Sequence, residues 1–237
     1  MRVLVNTHHH GDHTFGNYLL AGEAAIIGHE LCRESIVREA FAAHRLFPGV
    51  EWGEITLAPP DVTFRDHLEL WLDDLRIELI HVGPAHTTND VVVWIPERKL
   101  LYAGDVVFHG GTPFALAGSV TGWLDALGRL RALGAETIVP GHGAICGPRV
   151  LDDIEAYLRL VQSAARLGFE ADAPPLEVAR GLDLGRFDEW LDGERLAANI
   201  HRVYSELRGE PLGTPLPPQA IQDMIALNNG QPPRCLA

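Results

Sequence analysis

The segment His8-His9-His10-Gly11-Asp12-His13 constrains this chain more than any other stretch. It sets four imidazoles and one carboxylate in six consecutive positions, directly after the apolar run Val3-Leu4-Val5. Imidazole and carboxylate are the donors that Zn²⁺ and related borderline cations accept. In an extended segment side chains alternate with period two, so His8 and His10 point one way and His9 the other. Asp12 and His13 fall where the chain turns into a helix and aim at a neighbouring position. The motif therefore reads as two half-sites, one served by His8 and His10 and the other by Asp12 and His13.

Neither half is complete, because a hydrolytic zinc normally takes about three protein ligands and keeps one position open. Three downstream residues supply suitable completions. His86 follows Val82-Gly83-Pro84-Ala85, Asp105 follows Tyr102-Ala103-Gly104, and His142 lies in Pro140-Gly141-His142-Gly143. Each is expected at the end of an apolar strand with glycine nearby, which is where layered α/β proteins place their sites. Asp105 can bridge two cations, which would then lie about 3.5–4 Å apart. Asp12 and Asp105 are also the candidate catalytic residues, Asp12 by orienting the attacking water.

The rest of the pattern is that of an α/β chain. Ala24–Ile27, Thr63-Phe64, Leu68–Leu72, Leu75–His81, Val91–Ile95, Leu100–Ala103 and Thr137–Val139 read as short strands, with Asp73-Asp74 as a turn. Helices are expected from near His13 to Leu20, and over Glu30–Ala42, Val120–Leu133 and Asp152–Leu167. From about residue 171 the texture is helical, over Phe187–Leu191, Leu196–Leu207 and Gln219–Asn228, punctuated by prolines. The uniformly apolar strands suggest sheets covered on both faces.

Bulk composition bounds the partners. The 32 acidic and 19 basic residues leave a net charge of -13, which disfavours nucleic acid or an anionic membrane as the main partner. Cys32, Cys146 and Cys235 show no close pairing and read as free thiols. No apolar run approaches the roughly 18–20 residues that span a bilayer, and no secretory signal is visible, so a cytoplasmic location is expected.

The run His8-x-His10-x-Asp12-His13, with Ala85-His86-Thr87, Gly104-Asp105 and Pro140-Gly141-His142-Gly143, resembles the metallo-beta-lactamase fold superfamily over about residues 3–145. The resemblance implies a four-layer αββα sandwich with a dinuclear centre at one edge of its two sheets. It implies that His8, His10 and His86 hold the first metal, that Asp12, His13 and His142 hold the second, and that Asp105 bridges. The expected ions are two Zn per chain, with Fe or Mn as alternatives. An aspartate at 105, where the secreted zinc beta-lactamases generally have cysteine, is more like the hydroxyacylglutathione hydrolases and the polyketide tailoring cyclases. Members of the superfamily usually carry further strands before the histidine motif, so the sandwich is expected to be N-terminally incomplete. Residues 1–170 then form the metallo-beta-lactamase-like domain and 171–237 a helical C-terminal extension. A homo-oligomer, another subunit or a longer gene product would cover the open sheet.

The expected activity is metal-dependent hydrolysis of an ester, thioester, lactone or amide in a small-molecule substrate. The alternatives are a cyclase-thioesterase using the same centre, a di-iron redox protein, and an inactive scaffold. Thr87, Thr88, Asn89 and Asp90 are expected either to orient ligands or to form a turn, and His9 to support the site without ligating. His109 is a candidate donor to substrate. His29, His44, His67, His81 and His201 read as ordinary hydrogen-bonded histidines. Phe15, Phe47, Trp52, Phe108, Phe114 and Trp123 are candidates for an apolar pocket. The polar side chains of His201-Arg202-Val203-Tyr204 are expected to face water or substrate.

Overall fold

A computed structural model describes residues 2–234, apart from the side chain of Arg45. The strands are β1 (Val3–Val5), β2 (Ala25–His29), β3 (Val62–Phe64), β4 (His67–Leu72), β5 (Leu75–His81), β6 (Val91–Ile95), β7 (Leu100–Phe108) and β8 (Thr137–His142). The helices are α1 (Gly11–Thr14), α2 (Glu30–Glu39), α3 (Ala42–Leu46), α4 (Val120–Leu133), α5 (Val150–Glu170), α6 (Pro175–Gly181), α7 (Arg195–Leu207) and α8 (Gln219–Leu227).

Two sheets form the centre. One is parallel, in the order β1-β2-β3; the other runs β4-β5-β6-β7-β8 and is antiparallel except for the β7–β8 pair. Ile27 and Phe64 of the first sheet meet Leu79 and Val91 of the second in a small apolar layer. The larger core lies on the far side of the second sheet, where Leu101, Ala103 and Val107 pack with Trp123, Leu127, Ile154, Leu158, Ile200 and Val203. With α2 against β2 and β3, the layers run α, β, β, α. The helices after residue 171 share that larger core, since Ala179, Phe187, Leu196 and Met224 belong to it. Among the described residues no helix is long and apolar enough to cross a membrane. Cys32 and Cys146 are free, and Cys235 lies outside the described residues.

Several elements differ from the sequence expectation. The Glu30–Ala42 helix ends at Glu39, because Ala40 takes φ +47 and diverts the chain into α3. The segment after the histidines is a single turn, α1, followed by a short 3-10 turn over Asn17–Leu19. Strand β7 does not stop at Ala103; Gly104, at φ +51, forms an irregularity in the β7–β8 register and the strand continues to Phe108. Asp105 therefore sits inside a strand, whereas His142 ends β8 as expected.

Candidate metal centre

Each candidate ligand is held by a local device. Asn6 ends β1 with its N–H on Ile27 O at 2.8 Å, and its side-chain amide pairs reciprocally with that of Asn17 at 2.9 and 2.8 Å. This buried pair fixes the direction in which the chain leaves the sheet into His8 and His10. Thr14 Oγ1 closes the turn onto His10 O at 2.9 Å. The loop carrying His86 is organised by Asp90, whose carboxylate accepts from Thr87 N at 2.8 Å, Thr87 Oγ1 at 2.6 Å and Ala85 N at 3.2 Å. Burial pushes Asp90 up to about 7, against the pull of those Thr87 bonds. Strand β7 passes so close to the histidine segment that a Cβ on Gly104 would lie 2.8 Å from Thr7 Cβ. Strand β8 is equally tight, with a Cβ on Gly141 falling 1.9 Å from Asp105 Oδ1.

These devices bring all seven candidate ligands together. The donor atoms of His8, His10, His86 and Asp105 all lie within 4.8 Å of one another, and so do those of Asp12, His13, Asp105 and His142. The two groups share only Asp105. Within the first, His86 Nε2 is 2.8 Å from His10 Nδ1 and 3.3 Å from Asp105 Oδ2. Within the second, His13 Nε2 is 3.0 Å from Asp105 Oδ1, 3.3 Å from Asp12 Oδ2 and 3.4 Å from His142 Nε2. Ligands at tetrahedral Zn–N distances would be separated by about 3.3 Å, which these spacings bracket.

The donors fit a cation better than they fit each other. His8 Nε2 is buried without a hydrogen-bond partner among the described residues, a state that buried polar atoms rarely keep. Burial lowers His8 and His10 well below the usual histidine range and His86 to about 4, so these three are held neutral, the ligating form. Burial also disfavours the charged forms of His13, Asp12 and Asp105, but their mutual attraction prevails. The Asp105 and Asp12 carboxylates raise His13 to about 10. Bonds to His13 and His142 hold Asp12 well below the carboxylate range, and the charge and hydrogen bond of His13 do the same for Asp105. The imidazoles are also oriented from behind: Thr7 Oγ1 lies 3.1 Å from His8 Nδ1, and Phe114 O accepts from His86 Nδ1 at 2.6 Å. Phe108 stacks on His142 with the rings 2° from parallel.

A cavity of about 330 Å³ opens onto the cluster, touching His10, Asp12, His86, Asp105 and His142. Its wall is largely apolar, with Phe15, Leu46, Phe47, Val50, Trp52 and Leu116 among the lining residues. The charged side chains on the wall are paired: Glu39 with His9 at 3.1 Å, and Arg195 with Asp192 at 2.7 Å.

His9 lies outside both donor groups and bridges Asn89, at 3.0 Å, to Glu39. Five of the six aromatic candidates line the cavity; Trp123 instead lies in the core, its indole N–H on Val106 O at 3.0 Å. His109 is exposed, and its Nδ1 is engaged by Ala144 O at 2.8 Å, away from the cavity lining. The 201–204 segment faces neither water nor substrate: His201 pairs with Asp223 at 2.7 Å, and Arg202 is fully buried against backbone carbonyls. His29 caps α2 and stacks on His81, with the ring centroids 3.9 Å apart. Arg195, Asn199 and Asn17 escaped the sequence reading, because none lies in a motif and each bonds a backbone carbonyl distant in sequence.

Comparison with known proteins agrees with this geometry. A model described as the metallo-beta-lactamase superfamily matches residues 2–142. The chain is 27% identical over 220 residues to a 2,4-dinitroanisole O-demethylase subunit alpha from Nocardioides, covering 90% of this chain and 56% of that one. It is 33% identical over 136 residues to a hydroxyacylglutathione hydrolase from Methylococcus capsulatus, covering 57% and 45%. The chain thus spans about half the length of these curated relatives. Among solved structures, a metallo-beta-lactamase family protein from Thermus thermophilus superposes with a TM-score of 0.63 at 21% identity, over 88% of this chain and 75% of that one. A metallo-beta-lactamase from Pontibacter korlensis gives 0.56 at 23% identity, over 67% and 69%. At such identities the structural likeness is one of fold.

Proposed function

The chain belongs to the metallo-beta-lactamase superfamily, and on that footing we propose that it is a dinuclear metal-dependent hydrolase of an uncharged small-molecule ester, thioester, lactone or amide. The observation that carries this reading is the pair of four-donor groups sharing Asp105 at the mouth of an apolar cavity. His8, His10 and His86 would hold one cation, Asp12, His13 and His142 the other, with Asp105 between them. Zinc suits this imidazole-rich donor set, and the same donors accept iron or manganese. When bound, two such cations supply a water ionised near neutral pH and polarise the substrate carbonyl.

The protein's own residues do the rest. Asp12, whose side chain is 39% exposed and touches the cavity, orients the attacking water by accepting its hydrogen bond. Asp105, nearly fully buried, keeps the two donor groups in register. The wall of Phe15, Leu46, Phe47 and Trp52 receives the apolar part of the substrate and excludes solvent from the reacting bond. The hydroxyacylglutathione hydrolases among its relatives support cleavage at an acyl bond. The paired state of Glu39 and Arg195 favours an uncharged substrate over a glutathione conjugate.

The test is turnover of a panel of neutral esters, thioesters, lactones and amides by protein reconstituted with Zn²⁺. Activity is expected to vanish on chelation and in His86→Ala. Undiminished turnover in the chelated protein or in that variant would sink the reading. Elemental analysis of the protein as purified distinguishes zinc from iron or manganese.

A further inference from the structure

Helix α7 carries Arg195, Asn199 and Arg202 at i, i+4 and i+7, hence on one face, and all three are buried. Each reaches the same short backbone segment, 112–116, which has almost no regular secondary structure and is nevertheless mostly buried. Arg195 Nη1 donates to Thr112 O at 3.0 Å. Asn199 Nδ2 donates to Pro113 O at 2.7 Å, and its Oδ1 accepts from Ala115 N at 2.9 Å. Arg202 donates from Nε to Ala115 O at 3.1 Å and from Nη2 to Leu116 O at 2.7 Å. These bonds bracket Phe114, whose own carbonyl turns the other way and accepts from His86 Nδ1 at 2.6 Å.

Burying guanidinium and amide groups costs free energy that apolar side chains would not. Here their donors satisfy carbonyls that a buried irregular segment cannot pair within itself. The Phe114 carbonyl in turn places the proton of His86 on Nδ1, which leaves the Nε2 lone pair aimed at His10 and Asp105.

We propose that α7 acts as a positioning clamp on the metal centre, with Asn199 as its central residue, fixing segment 112–116 so that the Phe114 carbonyl sets the tautomer and direction of His86. This rests on the metal-centre reading above. It places control of the His8/His10/His86 half-site in a helix remote in sequence; because Arg195 of that helix also lies 5.2 Å over Phe108, which stacks on His142, the selective effect is assigned to Asn199, whose bonds run to segment 112–116.

The test is titration of the full chain, freed of metal, with Co²⁺, followed by its visible absorption. Losing an outer partner of a metal-bound histidine typically costs about 10–100-fold in affinity. Asn199→Ala, acting through the Phe114 carbonyl, is therefore expected to weaken one of the two Co²⁺ sites by up to about that factor, with the other site at wild-type affinity. Tyr157→Phe serves as the control, because Tyr157 Oη accepts from Asn199 Nδ2 at 3.1 Å without touching the segment; it should keep both sites at wild-type affinity. If Asn199→Ala does not fold, Asn199→Asp keeps the side chain's size and the acceptor for Ala115 N while removing the donor to Pro113 O, and should show the same selective weakening. Equal weakening of both sites, or none, would overturn the clamp. A wild-type chain that takes up no Co²⁺ would instead overturn the metal-centre reading on which it stands.

Discussion

Replacing Gly141 by alanine tests how closely the two sheet strands must approach to assemble the site. The new Cβ would lie 1.9 Å from Asp105 Oδ1, 2.7 Å from Gly104 C and 2.8 Å from Asp105 N, so backbone as well as side chain stands in its way. Restoring ordinary contact, 3.4 Å or more, means moving β8 or Asp105 by about 1.5 Å, several times the roughly 0.2 Å tolerance on a metal–ligand distance. Asp105 and His142 then cannot both keep their places. Overpacking of this kind costs about 1–3 kcal/mol, and a chain of this size responds with a shift of a few degrees in Tm. The assays are differential scanning calorimetry of the metal-free protein and metal content after dialysis. The expected result is a modestly lower Tm with the second half-site lost, so that at most one tightly bound ion remains. Two tightly bound ions at wild-type affinity would refute the reasoning, whatever the Tm.

Metal uptake at pH 7 should release at least one proton per chain, because His13 is raised to about 10 and is protonated until a cation displaces the proton, and a metal-bound water ionising near neutral pH adds to that count; apparent affinity should therefore rise with pH up to about 10. Calorimetry in buffers of different ionisation enthalpy measures this, and a proton count of zero would contradict it. Trp52→Ala and Leu46→Ala remove apolar wall from the cavity and should raise KM for apolar esters while leaving metal content at wild type; unchanged KM in both would show that the substrate lies elsewhere. Asp223→Ala leaves His201 without its buried carboxylate and should cost about 3–5 kcal/mol in denaturant unfolding. A loss below about 1 kcal/mol, the level of an exposed pair, would contradict a structural role for that pair.

How much of this was legible in the sequence depended on the range of the interaction. The seven candidate ligands could be read because donor type and local spacing announce them, and the structure gathers all seven. The length of β7 could not. Gly104 before a polar residue reads as a stop, whereas it forms a bulge that lets the strand run on and carry Asp105 inward. Ala40 gave no signal at all: alanine favours helix, and Ile36, Val37, Ala40 and Phe41 form one apolar face on paper, yet the backbone takes φ +47 there. Arg195 and Asn199 drew no reading, and Arg202 read as facing water or substrate, since the backbone carbonyls they bond lie some 80 positions away. Burial of a polar stripe is decided by what it packs against, which local periodicity does not encode.

The central claim is tested most directly by anomalous X-ray scattering from crystals of the chain loaded with zinc, measured on either side of the zinc absorption edge. Two peaks about 3.5–4 Å apart are predicted, one among His8, His10 and His86, the other among Asp12, His13 and His142, with the Asp105 carboxylate between them. A single peak, or peaks away from these side chains, would contradict the account.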